Sequence, residues 1–366
     1  MEGLSEEVLD QRRSSYVALS DEQLKVNMYL TLQQKTTEVS ALATLWQPEI
    51  YDIEKGFDNP KERPIVGTSK KNPKFFYMHK VFTPKIIASH DMVQRPSGLT
   101  LDPWRDHVIV ACPGSGQVVL LDKKFKLLKR IYHQDMMAPH GVAFHEQTEE
   151  IYVTDKWKHC IFVFNRKGDL LRRMCSKGSG RTQLRSPEGI SFHPTQDIFY
   201  VADSGNDRIQ ILENDGTYVG SIGPTGKHAS TVTRSGRIVQ VGLNQLNQPT
   251  DVAVSATTVA VADCGNHKVK IFDHNGQILQ TYGRFGASRG FLKSPQVILI
   301  DKDENVIVGD AGNGRVQIFS PAGELLRTLG GKGSTTHQFG WVSGLLIKDN
   351  YDIFVADSKD NTIHSF

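Results

Sequence analysis

A five-residue phrase, Ala-Asp-X-Gly-Asn, returns along this chain at a near-constant interval, and that interval limits what the chain can fold into. It reads Ala202-Asp203-Ser204-Gly205-Asn206 and again Ala262-Asp263-Cys264-Gly265-Asn266. It recurs as Gly309-Asp310-Ala311-Gly312-Asn313 and, worn down, as Ala356-Asp357-Ser358-Lys359-Asp360. Upstream, Thr154-Asp155-Lys156-Trp157-Lys158 and Ala111-Cys112-Pro113-Gly114-Ser115 hold the same place. In phase, these marks stand 43, 48, 60, 47 and 47 residues apart. A repeat of that length signals a propeller or an array. Such a unit cannot bury its own apolar face, so neighbours must stack.

Each repeat opens on a Pro-X-Gly-like turn: Pro96-Ser97-Gly98, Pro139-His140-Gly141, Pro187-Glu188-Gly189, Pro249-Thr250-Asp251, Pro295-Gln296-Val297 and, without the proline, Val342-Ser343-Gly344. A short apolar strand follows, then a second strand into the Asp turn. A third alternates with period two, as in Arg208-Ile209-Gln210-Ile211-Leu212. Asn214-Asp215-Gly216 and its equivalents then turn the chain into a fourth strand. Four antiparallel strands make one propeller blade. The expected fold is therefore all-β, a six-bladed propeller over residues 75–366. The sixth unit stops one strand short, and an open edge invites aggregation. The segment 75–82, within 75–87, is the expected donor of the missing strand.

The units resemble the NHL repeat family, most closely at Gly265-Asn266-His267-Lys268-Val269-Lys270-Ile271-Phe272 and Gly312-Asn313-Gly314-Arg315-Val316-Gln317-Ile318-Phe319. The resemblance implies a six-bladed NHL-type propeller.

Residues 1–74 form an N-terminal extension. Ser20 can cap a helix over about 21–47, with Gln23 completing the capping box. Leu24, Met28, Leu32, Val39, Leu42 and Trp46 recur at helical spacing. This helix either packs on the propeller or serves self-association or partner binding. Residues 49–74, with Lys70, Lys71 and Lys74, read as a basic linker.

Net charge is +3, which by itself does not announce a nucleic-acid protein. No apolar run is long enough to span a bilayer, so no membrane partner is expected. The acidic N-terminus lacks a signal-peptide core. Four cysteines show no Cys-X-X-Cys spacing. Together these lead to an expectation of reduced thiols and a cytoplasmic location.

The recurring Asp reads as structural, accepting hydrogen bonds from the N–H groups of its own turn. The residues that differ between repeats are more informative. Ser97, His140, Glu188, Thr250, Gln296 and Ser343 should line the mouth of the central channel. Peptide-amidating lyases, a related propeller family, hold zinc with three histidines at this place. Zinc takes three or four ligands at about 2.0–2.3 Å, and one histidine is offered here. No metal, no cofactor and no catalytic residue is expected. Gly223-Pro224-Thr225-Gly226-Lys227-His228 fails the P-loop spacing.

A binding face is better supported. Lys156, Lys158, Arg208, Lys268 and Arg315 fall in or just after the second-to-third-strand turns, interleaved with Trp157, His159 and His267. Arg185 precedes a first-strand turn, as Arg95 does, and Trp341 and Phe291 approach others. The longest interval places Lys227, Arg234 and Arg237 on the same face, with no acid between Tyr218 and Thr250. Cations contact phosphates and aromatic rings stack on splayed bases. The plainer alternative is a solvated rim whose cations pair with nearby Asp side chains.

The combination resembles the propeller of tripartite-motif NHL proteins, which recognises mRNA elements or protein partners. Residues 1–94 contain no cysteine and only His79 and His90, so neither a RING nor a B-box is expected in them. Three functions follow. The first is a non-enzymatic RNA-binding module acting in post-transcriptional regulation. The second is a protein scaffold or substrate receptor in the ubiquitin pathway. The third, more distant, is a metal-dependent lyase or lactonase.

Overall fold

The computed structural model describes Tyr77, Lys80 and residues 82–223, 231–232, 238–239, 245–331 and 338–366. Chain contacts divide the protein at Thr68, and all described residues belong to the second unit, Ser69–Phe366. The expected helix over 21–47 and the linker lie outside the described residues.

Six four-stranded antiparallel sheets follow one another around a ring. Blade one holds Leu99–Asp102, His107–Cys112, Gln117–Leu121 and Leu127–Ile131. Blade two holds Pro139–His145, Glu150–Asp155, Cys160–Asn165 and Leu170–Met174. Blade three holds Pro187–Phe192, Ile198–Asp203, Arg208–Glu213 and Tyr218–Ile222. Blade four holds Pro249–Val254, Val259–Asp263, Lys268–Phe272 and Ile278–Tyr282. Blade five holds Pro295–Ile300, Val306–Asp310, Arg315–Phe319 and Leu325–Gly330. Blade six takes Val342–Ile347, Ile353–Asp357 and Thr362–Ser365 from the C-terminus and Lys85–Ala88 from upstream. The described residues are therefore an all-β, six-bladed propeller.

Sheets sandwiched between neighbours need apolar side chains on both faces, and the inner strands meet that demand. Val306–Asp310 is buried throughout, whereas the outermost Leu170–Met174 alternates. Six apolar clusters fill the six blade junctions. The Pro-X-Gly glycines answer to close approach of the inner strands. A Cβ on Gly344 would stand 1.8 Å from the Ser97 carbonyl oxygen, and one on Gly141 2.2 Å from that of Glu188.

Closure joins the two ends of the propeller. Lys85 pairs with Ser365 and Ile86 with His364 in antiparallel register. The pairing strand lies just beyond the aromatic segment 75–82. Within that segment, Tyr77 and Phe82 are buried among side chains of blades five and six. The Tyr77 hydroxyl donates to Asp301 Oδ2 at 2.7 Å, so Tyr77 anchors the approach to the closing strand. The long insertion after blade three contributes the pairing Thr231–Val232 with Ile238–Val239.

Candidate functional site

Antiparallel order sends every blade-entry connector and every second-to-third-strand turn to one end of the ring. The first-to-second and third-to-fourth turns go to the other. The sequence-predicted site residues in the described region therefore share one face, whatever their individual roles.

The recurring carboxylates form the frame of this face. Asp155, Asp203, Asp263, Asp310 and Asp357 are fully buried. Each reaches back to the connector that enters its own blade. Asp203 Oδ1 accepts from Arg185 N at 2.6 Å, Asp263 Oδ1 from Asn247 N at 2.8 Å and Asp310 Oδ1 from Lys293 N at 2.7 Å. Asp155 accepts from Met137, Ala138, Trp157 and Lys158 N–H groups.

Two expected RNA contacts are corrected here. Arg208 and Arg315 are buried, and their Nε atoms donate to Asp203 and Asp310 at 2.8 and 2.7 Å. The rest of each guanidinium binds connector carbonyls: Gly180 and Gln183 for Arg208, and Ala287, Ser288 and Phe291 for Arg315. Basic residues after Gly-Asn are here staples of the frame. Blade four uses a different register, with Lys270 pairing with Asp263 at 2.8 Å and leaving Lys268 half-buried. For Asp203 and Asp310 burial outweighs these donors, so both carboxyls are pushed above the ordinary carboxylate range.

His159 and His267 also have structural work. Both occupy the left-handed residue four places after the Asp, with φ of 57° and 55°. His159 Nδ1 accepts from Ser186 N at 2.9 Å, and His267 Nδ1 from Ser294 N at 3.1 Å. Asp207 does the same for Gln248 N and Asn361 for Arg95 N. Each N–H belongs to the residue before the next blade's opening proline, so this is a blade-to-blade stitch. Asn361 carries it across the ring closure.

The stitch requires an unprotonated Nδ1. Burial, then Lys177 and Arg185, push the His159 pKa below its ordinary 6.5. Above the unfolded value both states are neutral and the stitch contributes fully. Its contribution drains as pH falls from about 6.5 toward the lower folded value. The melting temperature should therefore drop on acidification below pH 6.5. His159→Asn, which copies the Asn361 stitch, should hold the neutral-pH stability and shrink that drop. An undiminished drop in the variant, followed by calorimetry, would remove His159 from the account.

At the centre, Glu188 gathers the channel mouth. Its Oε1 accepts from Lys156 Nζ at 2.7 Å and its Oε2 from Gln296 Nε2 at 2.9 Å. Gln296 comes from blade five, so this bond bridges part of the opening. His140 Nε2 stands 3.6 Å from Glu188 Oε2, and Ser97 Oγ lies 3.3 Å from His140 Nδ1. Burial holds the His140 pKa down, Glu188 opposes that and Lys156 adds to it. Ser97, His140, Glu188 and Gln296 thus come together. Thr250 and Ser343 instead donate to the carbonyls of Pro295 and Pro96 on the next blade.

Over this mouth lies a groove of about 760 Å³ bordered by Arg95, Lys156, Trp157, Trp341 and Lys359. Trp157 is 65% exposed and Trp341 37%. Lys158 and Arg185 are exposed on the same face. Lys293 is exposed there too, and Phe285, 63% exposed, packs beside His267. The turns at the opposite end are acidic on balance, with Glu146, Glu149 and Glu150, Glu213 and Asp215, and Asp301, Asp303 and Glu304, although the turns 122–126 and 165–169 are net basic. Lys227, Arg234 and Arg237 lie outside the described residues. Sequence reasoning missed Lys359, which sits where the worn sixth phrase has lost its glycine. It also missed the role of Asp251, which replaces the glycine of Pro-X-Gly and faces the channel. Burial raises that carboxyl to about 7.

Among the described residues no group of three or more His, Cys, Asp or Glu is placed to hold a metal ion. No described helix is long and apolar enough to cross a membrane.

The family model described as the NHL repeat matches residues 137–164 and 246–272, the connector end and first three strands of blades two and four. The chain contains NHL repeats. Virginiamycin B lyase from Staphylococcus aureus, as a catalytically inactive histidine-to-alanine variant with quinupristin, is similar with a TM-score of 0.54. It is 11% identical, and the match covers 78% of this chain and 99% of that one. A streptogramin B lyase structure gives a TM-score of 0.52 at 10% identity, over 78% of this chain and 97% of the other. At that identity the likeness is one of fold. Comparison with curated proteins returns no match.

Proposed function

We propose that this NHL propeller is a non-enzymatic recognition module that binds single-stranded or looped RNA across its connector face. The observation that carries the reading is the groove over the channel mouth. There Trp157 and Trp341, both solvent-accessible, stand with Arg95, Lys156 and Lys359 around one opening. Flat aromatic surfaces accept unpaired bases, and a cationic rim accepts the connecting phosphates. The acidic character of the opposite end would direct a polyanion to this face. The resemblance to tripartite-motif NHL propellers supports the same reading, with post-transcriptional regulation in the cytoplasm as its setting.

Lys158, Arg185 and Lys359 are the cations to reverse, because their side chains are exposed. Lys156 is unsuitable, since a glutamate there would face buried Glu188. The triple Glu variant should lose at least about tenfold in affinity for single-stranded RNA at low salt. The slope of log affinity against log salt should shrink by roughly 2 for three lost phosphate contacts. Melting should stay close to the parent. Normal RNA binding by a folded triple variant would put the interface elsewhere. Binding of a protein with little salt dependence, lost on Trp157→Ala, would favour the scaffold reading.

A further inference from the structure

The turns 122–126 and 165–169 make a basic island on an end of the ring that is acidic on balance. The second turn packs against the strand that leaves the first. A Cβ on Gly168 would stand 2.9 Å from Ile131 Cγ1, and Lys129 Nζ donates to the Lys167 carbonyl. Among the described residues Arg105, Lys123, Lys124, Lys126, Lys129 and Lys167 form no ion pair. The carboxylates around them are already held. Arg166 binds Asp102 and Glu149, each at 2.7 Å, and Lys348 binds Asp106. Asp169 Oδ2 accepts from Asn165 Nδ2 at 3.0 Å. Asp122 Oδ1 accepts from the N–H groups of Lys124 and Lys126, both at 2.8 Å. These cations are not a property of the repeat, since the matching outer strands Tyr218–Ile222 and Ile278–Tyr282 carry no charged residue.

Beside the island a cavity of about 180 Å³ opens between blades one and two. Buried Ile109, Phe144 and Ile151 give it an apolar floor, and exposed Arg105, Leu128 and Lys129 border it. Trp104, next to Arg105 in the same turn, is 65% exposed. Arg166 also lines the cavity, and its Nε is buried with no hydrogen-bond partner. A buried donor without an acceptor is costly, and an oxygen atom brought to it removes that cost. Pockets that enclose a whole small molecule hold roughly 300–1,000 Å³. This one suits a single apolar side chain.

We propose that the cavity docks an acidic linear segment of a partner protein, with one bulky apolar side chain inside it and flanking Asp or Glu side chains on Arg105, Lys129 and Lys167. The apolar anchor supplies affinity, and the surrounding cations supply on-rate and selectivity. A nucleic-acid backbone would leave the apolar floor unfilled, and a flat lipid surface would not reach into it. The site lies at the end of the ring opposite the connector face and is independent of the RNA reading.

The test is selection of a random heptapeptide display library on the full chain. Enriched peptides should carry a Leu, Ile, Phe or Met flanked by acidic residues. Binding of a labelled enriched peptide, read by fluorescence anisotropy, should weaken at least about tenfold in the Arg105→Glu, Lys129→Glu double variant. Replacing the peptide's apolar residue by serine should weaken it as much. The Lys158, Arg185 and Lys359 triple Glu variant should bind it normally. Because charge reversal can disturb the outer strand, photo-crosslinking of the parent to a benzophenone-bearing peptide gives a second readout. Crosslinks at Arg105, Leu128 or Lys129 support the site. Failure to enrich acidic peptides overturns it, as do crosslinks confined to the connector face or full affinity in a folded double variant. Oligouridine or phosphatidylserine vesicles that bind the parent and not the double variant, with no peptide enriched, would reassign the island to a polyanion and overturn the peptide site.

Discussion

A chain that starts at Ser89 is expected to lose the cooperative unfolding transition of the propeller. The truncation removes Lys85–Ala88, the outer strand of blade six, and strips the edge of Thr362–Ser365. It also removes Tyr77 and Phe82, buried at the junction of blades five and six, and Ala88 from the junction of blades six and one. Blade six then has two damaged interfaces and one exposed edge. In a ring every blade relies on both neighbours, so loosening one junction exposes the next. The measurement is calorimetric melting with dye binding to exposed apolar surface. We expect a broad transition, dye binding and aggregation. Tyr77→Phe, which keeps the ring and loses one hydrogen bond, should cost only about 1 kcal/mol. A sharp transition at the parental temperature in the truncated chain would show that the ring closes without this strand.

Asp203→Ala should be the most damaging of the single substitutions considered, at about 3–5 kcal/mol, because it leaves the Arg208 guanidinium buried without its counter-charge. Arg208 is 2% exposed and has no route to water without displacing the connector carbonyls of Gly180 and Gln183. The same change also frees the Arg185 N–H that positions the connector. Asp310→Ala should behave alike through Arg315. Asp155→Ala tests the logic, since the described partners of that carboxylate are N–H groups. No guanidinium is left behind there, so its cost should be smaller. Chemical denaturation of the three variants separates the cases. Equal losses at Asp155 and Asp203 would mean that the buried cation adds nothing.

The blades were legible because the Asp turn and the proline turn are physical necessities. One fastens a connector to its blade, and the other clears space where inner strands meet. Ser97, His140, Glu188 and Gln296 share the variable position inside a fixed turn, whereas the turn alone did not reveal that Thr250 and Ser343 at the same position bond to the next blade. The roles of the basic residues were not. Arg208 and Lys158 follow the repeated Asp by five and three residues, yet one is buried and the other exposed. A repeat read as letters does not state which way a strand's first residue points. His159 and His267 misled for a related reason. An imidazole suits stacking on a base, but here its Nδ1 does the job that Asp207 and Asn361 do elsewhere. That equivalence appears only when the N–H groups before each proline are matched to acceptors.

The measurement that bears most directly on the RNA reading is selection of a random RNA pool on the full chain, run at low and high salt beside the Lys158, Arg185 and Lys359 triple Glu variant. The account predicts a motif enriched on the parent, held less well at high salt and lost on the variant. Enrichment of the same motif on both proteins would contradict the assigned face, and no enrichment on the parent would contradict sequence-specific RNA recognition.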